Sequence, residues 1–509
     1  MSLPLPFPAR RSTALIELTD ALVVFAVAAG VGLRIWILVS SPGTVDGDEG
    51  VWGLMIRHVL DGEWPAFYWG QAYGGTQEVF LSAPVVALFG LSPITIRIAP
   101  IGLWAVASVL VWRVGRRTIG EPQARLAAGL FWLWPTYFLW KSTRAHGFYG
   151  STLVLGLVVL LLVLRLRERP SRRDLVLLGL ALGCGWWASP QIAIVALPAV
   201  VWLVWQRPGI VRGWWLILPS AAIGALPWLV ANVRHDWYSF DLGANDGRRV
   251  DHLHNLFAAT LPTALGLRLP FSLAWVGHVY LGSALYLLAL AGFAWLLVRR
   301  RGSELGLLTL TALVFPAFYV ISPYTWLNVE PRYLAVLSPV LALLVGLPLA
   351  TPRRAAAVLA VALSLSIVGV AELERQRLAA AHAEKVEIPD DISPLLRTLR
   401  QHDVKHAFAS YWVAWRLTFE TDEQTVVATT SEYRPIIQNG RVLPRDDNQG
   451  RYPSFYRLVL RDRNAAHIFI SGGDVEARVR PLLRRAAYRR LEAGGFLVYL
   501  PPTTGDGSE

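Results

Sequence analysis

Cysteine and methionine are almost absent from this chain, with one Cys and two Met in 509 residues. A single Cys184 excludes an intramolecular disulfide, and its place inside an apolar run reads as packing. Lysine is nearly missing as well: Lys141, Lys385 and Lys405 are the only three, and the remaining basic residues are arginine. Charged residues of both signs make up 17%, against about 25% in a soluble domain. No CxxC, HExxH or P-loop pattern occurs, so the commonest local signatures of metal, protease and nucleotide sites are absent. Apolar residues, by contrast, reach 54%, with 22 Trp and a mean hydropathy of +0.42. These figures exclude a disordered chain, a disulfide scaffold and an ordinary soluble enzyme, and leave an integral membrane protein. The net charge of +12 sits in short clusters between apolar runs, which is how membrane topology is encoded, so no nucleic-acid partner follows from it. The Arg-, Ala-, Gly- and Leu-rich composition fits a GC-rich bacterial genome.

A bilayer crossing needs about 20 apolar residues as helix. Eleven segments read as spans: 15–40, 94–114, 124–141, 148–166, 174–190, 191–206, 214–232, 272–298, 304–321, 333–350 and 355–371. The first is too long for the apolar region of a cleaved signal peptide and is followed by no small-residue cleavage site. Arginine clusters fall on one side of this alternation: Arg10 and Arg11, Arg113 to Arg125, Arg165 to Arg173, Arg207 and Arg212, Arg299 to Arg301, and Arg353 and Arg354. That side is expected to be cytoplasmic, with the N-terminus inside and loops 41–93 and 233–271 outside the inner membrane. Residues 1–371 then form an α-helical polytopic membrane domain. Residues 372–509 form a separate, small α/β extracytoplasmic domain, in which helical patterns at 392–401 and 474–486 alternate with β-rich runs at 405–410, 425–430, 466–470 and 495–500.

The first outer loop is the most informative segment. Asp46, Asp48 and Glu49 follow the first span directly. Apolar positions 51, 52, 54, 55, 56, 59 and 60 then predict an amphipathic helix lying on the membrane surface. After a Trp/Tyr/Gly-rich turn, Glu78 opens a second helix, kinked or broken near Pro84. Asp46 and Glu49 have capping-box spacing, and Asp48 could serve the same cap. One cap suffices, however, and three carboxylates repel one another at the membrane boundary. Such a cluster calls for a cation, a proton or a substrate donor.

The stretches DEGVWGLMIRHVLDGEWP, YWGQAYGGTQE, NVRHDWYSF, PRYL at 331–334 and SYWVAWRLTFET at 410–421 resemble the GT-C glycosyltransferases that use polyprenyl-phosphate sugars. The similarity is to the bacterial branch near the protein O-mannosyltransferases and the lipid A aminoarabinose transferases. The resemblance implies a GT-C fold and an inverting transfer of a sugar from a polyprenyl-phosphate donor to a glycan, lipid or protein acceptor on the outer face. It assigns the general base to Asp48, with Glu49 beside it. The chemistry needs a carboxylate to take the acceptor proton and cations to hold the leaving phosphate. Glu78 resembles an acidic position that binds a divalent metal in some relatives. Its context here is Gly-Gly-Thr-Gln-Glu, not the Glu-Lys-Pro form of the aminoarabinose transferases.

Other candidates lie at predicted span ends. Arg332 and Tyr333, with Arg144 and Arg268, are candidates for the donor phosphate, and Arg332 is the preferred one. A plain Glu330–Arg332 surface pair is the bland alternative. Lys141, Arg144, His146 and Tyr149 share one outer turn, where an interfacial anchor belt would explain them equally well. Asn232 closes the seventh span. Membrane-boundary tryptophans explain themselves as a belt, and stacking on a sugar is open to Trp69 and Trp326. A second function class, a transporter or flippase of lipid-linked substrates, fits the span count. It is disfavoured by the lack of half-to-half similarity and by acids in an outer loop instead of at mid-membrane.

Overall fold

The computed structural model describes residues 13–240, 249–299, 304–322, 325, 329–430, 435–438, 441–444 and 451–502. Arg10, Arg11, Arg300, Arg301 and Trp326 lie outside the described residues, as does the side chain of Arg299.

The chain opens with α1 (Thr13–Val39), whose Val24, Phe25, Val31 and Ile35 are exposed, as a lipid-facing helix requires. Next come α2 (Gly47–Leu60), a hairpin of β1 (Phe67–Tyr68) and β2 (Gln71–Gly75), and α3 (Gln77–Phe89). The bundle continues through α4 (Thr95–Thr118), α5 (Glu121–Leu133), α6 (Thr136–Ser142), α7 (Tyr149–Glu168), α8 (Arg172–Ala188), α9 (Ala193–Gln206), α10 (Trp214–Gly224) and α11 (Leu226–Arg234). The short helices α12 (Arg249–Asn255) and α13 (Leu261–Ala264) lead into α14 (Val279–Arg299), α15 (Glu304–Ile321), α16 (Ser338–Gly346) and α17 (Pro352–Arg375).

Among the described residues six helices are long and apolar enough to cross a membrane: α1, α4, α7, α14, α15 and α17. A seventh is added if Pro190–Gln206 and Pro208–Gly224, bent by 117°, form one span. The eleven segments expected as spans thus include six that are single long helices. The other five segments are helical but short or broken, and proline is the main reason. Pro135 divides 124–141 into α5 and α6, Pro208 ends α9, and Pro227 restarts the chain as α11. Proline removes a backbone donor and biases the residue before it away from helix. Segment 333–350 is α-helical only over Ser338–Gly346, and α8 has 17 residues.

Beyond α17 the C-terminal part holds a hairpin of β3 (His382–Ala383) and β4 (Val386–Glu387), then α18 (Ser393–Gln401), β5 (His406–Ala409), α19 (Tyr411–Glu420) and β6 (Val426–Thr429). A second hairpin, β7 (Pro435–Gln438) and β8 (Arg441–Pro444), is followed by α20 (Pro453–Arg461), β9 (Ala466–Ile470), α21 (Asp474–Arg485), β10 (Arg489–Ala493) and β11 (Phe496–Leu500). Five strands form a mixed sheet in the order β10-β11-β9-β5-β6, parallel where β5 meets β6 and β9, antiparallel elsewhere. Strands β6 and β9 are buried along their whole length, which fits their mostly apolar sequence, Thr429 and His467 excepted.

The helix expected on the membrane surface is instead inside the protein. Val51, Leu54, Met55 and Ile56 of α2 have no exposed surface and share a core with Phe408, Trp415, Phe419 and Phe455 of the C-terminal part. The partner of the apolar face of α2 is therefore α19. Gly47, Gly50 and Gly53, spaced three apart on α2, let the two helices touch. A Cβ on Gly50 would sit 2.5 Å from the carbonyl oxygen of Trp415, and one on Gly53 would overlap the Phe419 ring. Glycine inside a helix costs about 0.5–1 kcal/mol, so the stripe is offset by this close contact.

Gly50→Ala should therefore loosen the seam between α2 and α19 at a cost of about 1–3 kcal/mol. Gly32→Ala, inside α1 with nothing within 4 Å of the added Cβ, should not destabilise and should gain up to about 1 kcal/mol. Thermal unfolding of the two purified variants in detergent measures the difference.

Candidate active site

Asp46 starts the site by ending the turn after α1. It is the N-cap of α2, and its Oδ1 accepts from the Glu49 amide at 3.0 Å. The capping-box spacing is thus used, but it occupies only one oxygen. Asp46 Oδ2 accepts from Arg144 Nη2 at 2.9 Å and from His146 Nε2 at 2.8 Å. Glu49 points inward and has no exposed surface. Its Oε1 accepts from Arg97 Nε at 2.7 Å and the Ala145 amide at 3.0 Å, and its Oε2 pairs with both Arg97 and Arg144 Nη2. Arg144 also donates to the Thr44 carbonyl at 2.8 Å. Burial pushes both carboxyls up, but the neighbouring charges outweigh it. His146 and Arg144 hold Asp46 well below the usual carboxylate range, and Arg144 and Arg97 hold Glu49 below it.

Asp48 lies next to Glu49 in the chain and faces elsewhere. It lines a cavity of about 1000 Å³ bounded by the bundle, the β1–β2 hairpin and α19. Asp48 Oδ1 accepts from Tyr411 Oη at 2.6 Å and from Arg451 Nη2 at 3.1 Å, and its backbone carbonyl accepts from Tyr68 Oη at 2.7 Å. Its Oδ2 has no hydrogen bond among the described residues. The same cavity is lined by Arg332, Tyr333, Glu330, Lys141, His146 and Tyr149, and by aromatic side chains that include Trp186, Trp228, Phe315 and Phe318. Arg332 lies 3.8 Å from Glu330 and 5.8 Å from the Tyr333 ring, and its Nε is buried with no hydrogen-bond partner. Lys141 is buried and donates to His146 Nδ1 at 3.1 Å, with its ammonium 4.5 Å from the Tyr149 ring. No carboxylate pairs with it among the described residues. His146 thus links Lys141 to Asp46.

The structure brings Asp46, Asp48, His146, Arg332 and Tyr333 to one cavity. It places the remaining candidates elsewhere. Glu49 and Arg144 are neutralised within the buried network. Asn232 is buried among its own neighbours, donating to the Trp228 carbonyl and accepting from Ser239. Arg268 stands outside the cavity with its guanidinium 4.5 Å from the Trp275 ring. Glu78 is buried against α7, where its Oε1 accepts from the Ser151 amide at 2.6 Å. Among the described residues the one group of three acids or histidines with metal-ligand spacing is Asp46, Glu49 and His146. Arg144 Nη2 already sits 2.9 and 2.8 Å from its two carboxylates, so a divalent cation there would have to displace a guanidinium. The sequence reading missed Arg97, Tyr411 and Arg451. Tyr411 lies inside the quoted SYWVAWRLTFET, while Arg97 and Arg451 carry no local signal.

Residues 79–232 match the family described as dolichyl-phosphate-mannose-protein mannosyltransferase. The fold superposes on ArnT from Cupriavidus metallidurans bound to undecaprenyl phosphate with a TM-score of 0.59, at 14% identity over 98% of this chain and 100% of that one. For the apo state of that protein the TM-score is also 0.59, at 14% identity, covering 96% and 99% of the two chains. The Archaeoglobus fulgidus oligosaccharyltransferase in complex with Zn and sulfate gives a TM-score of 0.47 at 14% identity, over 95% of this chain and 74% of that one. No protein of curated function matches the chain.

Glu49→Gln should destabilise the fold by about 3–5 kcal/mol, because it leaves two buried guanidinium groups short of their counter-charge. The pH dependence has a definite sign. A carboxyl held below its ordinary range adds stability that is complete above that range and is lost as pH falls through the depressed value. Melting temperature should therefore be steady above the ordinary carboxylate range in the wild type and fall progressively from that range down to the depressed values. In Glu49→Gln the acid-side loss should be smaller, which melts across a pH series will show.

Proposed function

We propose that the chain is a multi-pass membrane glycosyltransferase that moves a sugar from a polyprenyl-phosphate donor to an acceptor hydroxyl with inversion; the family match over residues 79–232, the superposition on ArnT and the apolar helices support this reading. The observation that carries this reading is the cavity itself. Among the described residues it holds one carboxylate oxygen with no hydrogen bond, Asp48 Oδ2, together with two cations: Arg332, whose ion pair with Glu330 is long at 3.8 Å, and Lys141, which has no carboxylate partner. Its remaining wall is largely aromatic, which suits a prenyl chain and a sugar face.

In this mechanism the acceptor oxygen attacks the anomeric carbon from the face opposite the phosphate. The bond from that carbon to the phosphate oxygen breaks, and the acceptor proton passes to Asp48 Oδ2. The leaving polyprenyl phosphate gains negative charge as the bond lengthens. Arg332 meets it with paired donors and Lys141 with a point charge. Glu330, which accepts from Tyr137 Oη at 3.0 Å, holds Arg332 along the wall through an ion pair of 3.8 Å. Arg144, Arg268 and Glu78 have no part in these steps. The acceptor is a hydroxyl of a cell-envelope glycan, lipid or protein.

The C-terminal part, residues 372–509, works in this reading as a soluble domain on the outer face of a bacterial cytoplasmic membrane, over the cavity. Arg113, Arg116, Arg117, Arg165 and Arg169 mark the opposite, cytoplasmic end. A reporter fusion at about residue 380 tests the orientation: alkaline phosphatase should be active there, and an inactive fusion reverses it.

Asp48→Asn should lower turnover by about 10²–10⁴-fold while donor binding stays close to wild type, with a modest fall in melting temperature from the lost pair with Arg451. Near-normal turnover removes Asp48 as the base. Arg332→Ala should weaken donor binding and slow transfer together, and Arg332→Lys should recover part of both. Wild-type constants in Arg332→Ala would take this residue out of the site. A panel of lipid-linked sugars assayed with the purified protein identifies the donor.

A further inference from the structure

The side chains that hold the proposed base come from the other end of the chain. Tyr411 is the first residue of α19 and Arg451 precedes α20, yet both reach Asp48 Oδ1. Arg451 has a socket of its own. Its Nη1 donates to the Trp69 carbonyl at 3.3 Å, and the Gln71 amide, turned oxygen inward, accepts from both of its terminal nitrogens. Its guanidinium lies 5.4 Å from the Tyr68 ring and 5.1 Å from that of Tyr411. The turn of the β1–β2 hairpin closes on it at Gly70, whose φ of +68° suits glycine and where an added Cβ would meet the Arg451 side chain at 3.1 Å. The next residue, Tyr452, stacks on Trp69 with ring centres 4.3 Å apart.

We propose that Arg451 and Tyr411 are positioning residues for Asp48, fixing one carboxylate oxygen so that the other faces the acceptor, and that the active site is therefore complete only when the C-terminal domain is docked. The proposal rests on the reading of Asp48 as the base. A carboxylate on a helix N-terminus has free rotation about its last bond. Two donors on the same oxygen remove that freedom and set the direction of proton transfer. Arg451 is an unsuitable phosphate ligand, because its donors are already shared among a carboxylate, a carbonyl and an amide.

The test measures kcat and donor KM for wild type, Asp48→Asn, Tyr411→Phe, Arg451→Gln, Arg451→Lys and the double variant Asp48→Asn/Arg451→Gln. Tyr411→Phe removes one oxygen and guards against a folding defect in the arginine variants. Tyr411→Phe and Arg451→Gln should each lower kcat by about 10–100-fold with donor KM little changed, and Arg451→Lys should recover part of the loss. The double variant should be no slower than Asp48→Asn alone, because a residue acting through the carboxylate has nothing left to act on. If Asp48→Asn is inactive while Tyr411→Phe and Arg451→Gln turn over like wild type, the positioning role is wrong and the base stands. A raised donor KM at unchanged kcat makes Arg451 a donor ligand and overturns the proposal. So does a double variant slower than Asp48→Asn by the full factor of Arg451→Gln. A fully active Asp48→Asn overturns the base reading and this one with it, and is the only outcome that does so.

Discussion

The geometry of the site depends on one carboxylate that never reaches it. Glu49 is fully buried, and such a charge is tolerated only when paired and hydrogen-bonded on every side. Two guanidinium groups and a backbone amide meet that need, drawn from α4 and from the turn between α6 and α7. The network pins the first turn of α2. Successive helix residues project about 100° apart, so fixing Asp46 as cap and Glu49 inward leaves Asp48 a single direction, along the cavity wall. Asp46 belongs to both sets: one oxygen caps the helix, and the other accepts from Arg144 and His146.

A second constraint sets the roof of the cavity. The glycine stripe of α2 admits α19 to backbone contact, and the apolar face of α2 buries against Trp415 and Phe419. Without that partner the face would need lipid or another subunit. With it, residues of the first loop and of the C-terminal part, 363 positions apart at Asp48 and Tyr411, form one hydrophobic core. Trp69, Tyr452 and Phe455 extend the same core, which is why Tyr411 and Arg451 arrive at Asp48 already oriented.

The cations of the site divide by what neutralises them. Arg97 and Arg144 meet carboxylates at hydrogen-bond distance and have little left for a ligand. Arg332 keeps an unpartnered Nε, and Lys141 has an imidazole and a ring face for neighbours. An anionic ligand would complete the pairing of these two, and the same logic makes a divalent metal at Asp46 and Glu49 redundant.

The sequence by itself determined the membrane character, the helical bundle, the α/β tail with its four core strands, and the cluster of three acids after the first span. All of these follow from composition and local periodicity, which survive in a one-dimensional reading. It did not determine the continuity of the spans, because a proline's effect depends on whether the neighbouring turn can re-form beyond it. Nor could it divide the three acids into a helix cap, a cavity-facing carboxylate and a buried counter-ion. Asp46, Asp48 and Glu49 are chemically alike and nearly adjacent, and they differ only in what lies beside each one. Those neighbours, Arg97, Arg144, Tyr411 and Arg451, come from far along the chain, and only the tertiary structure decided which carboxylate each would meet.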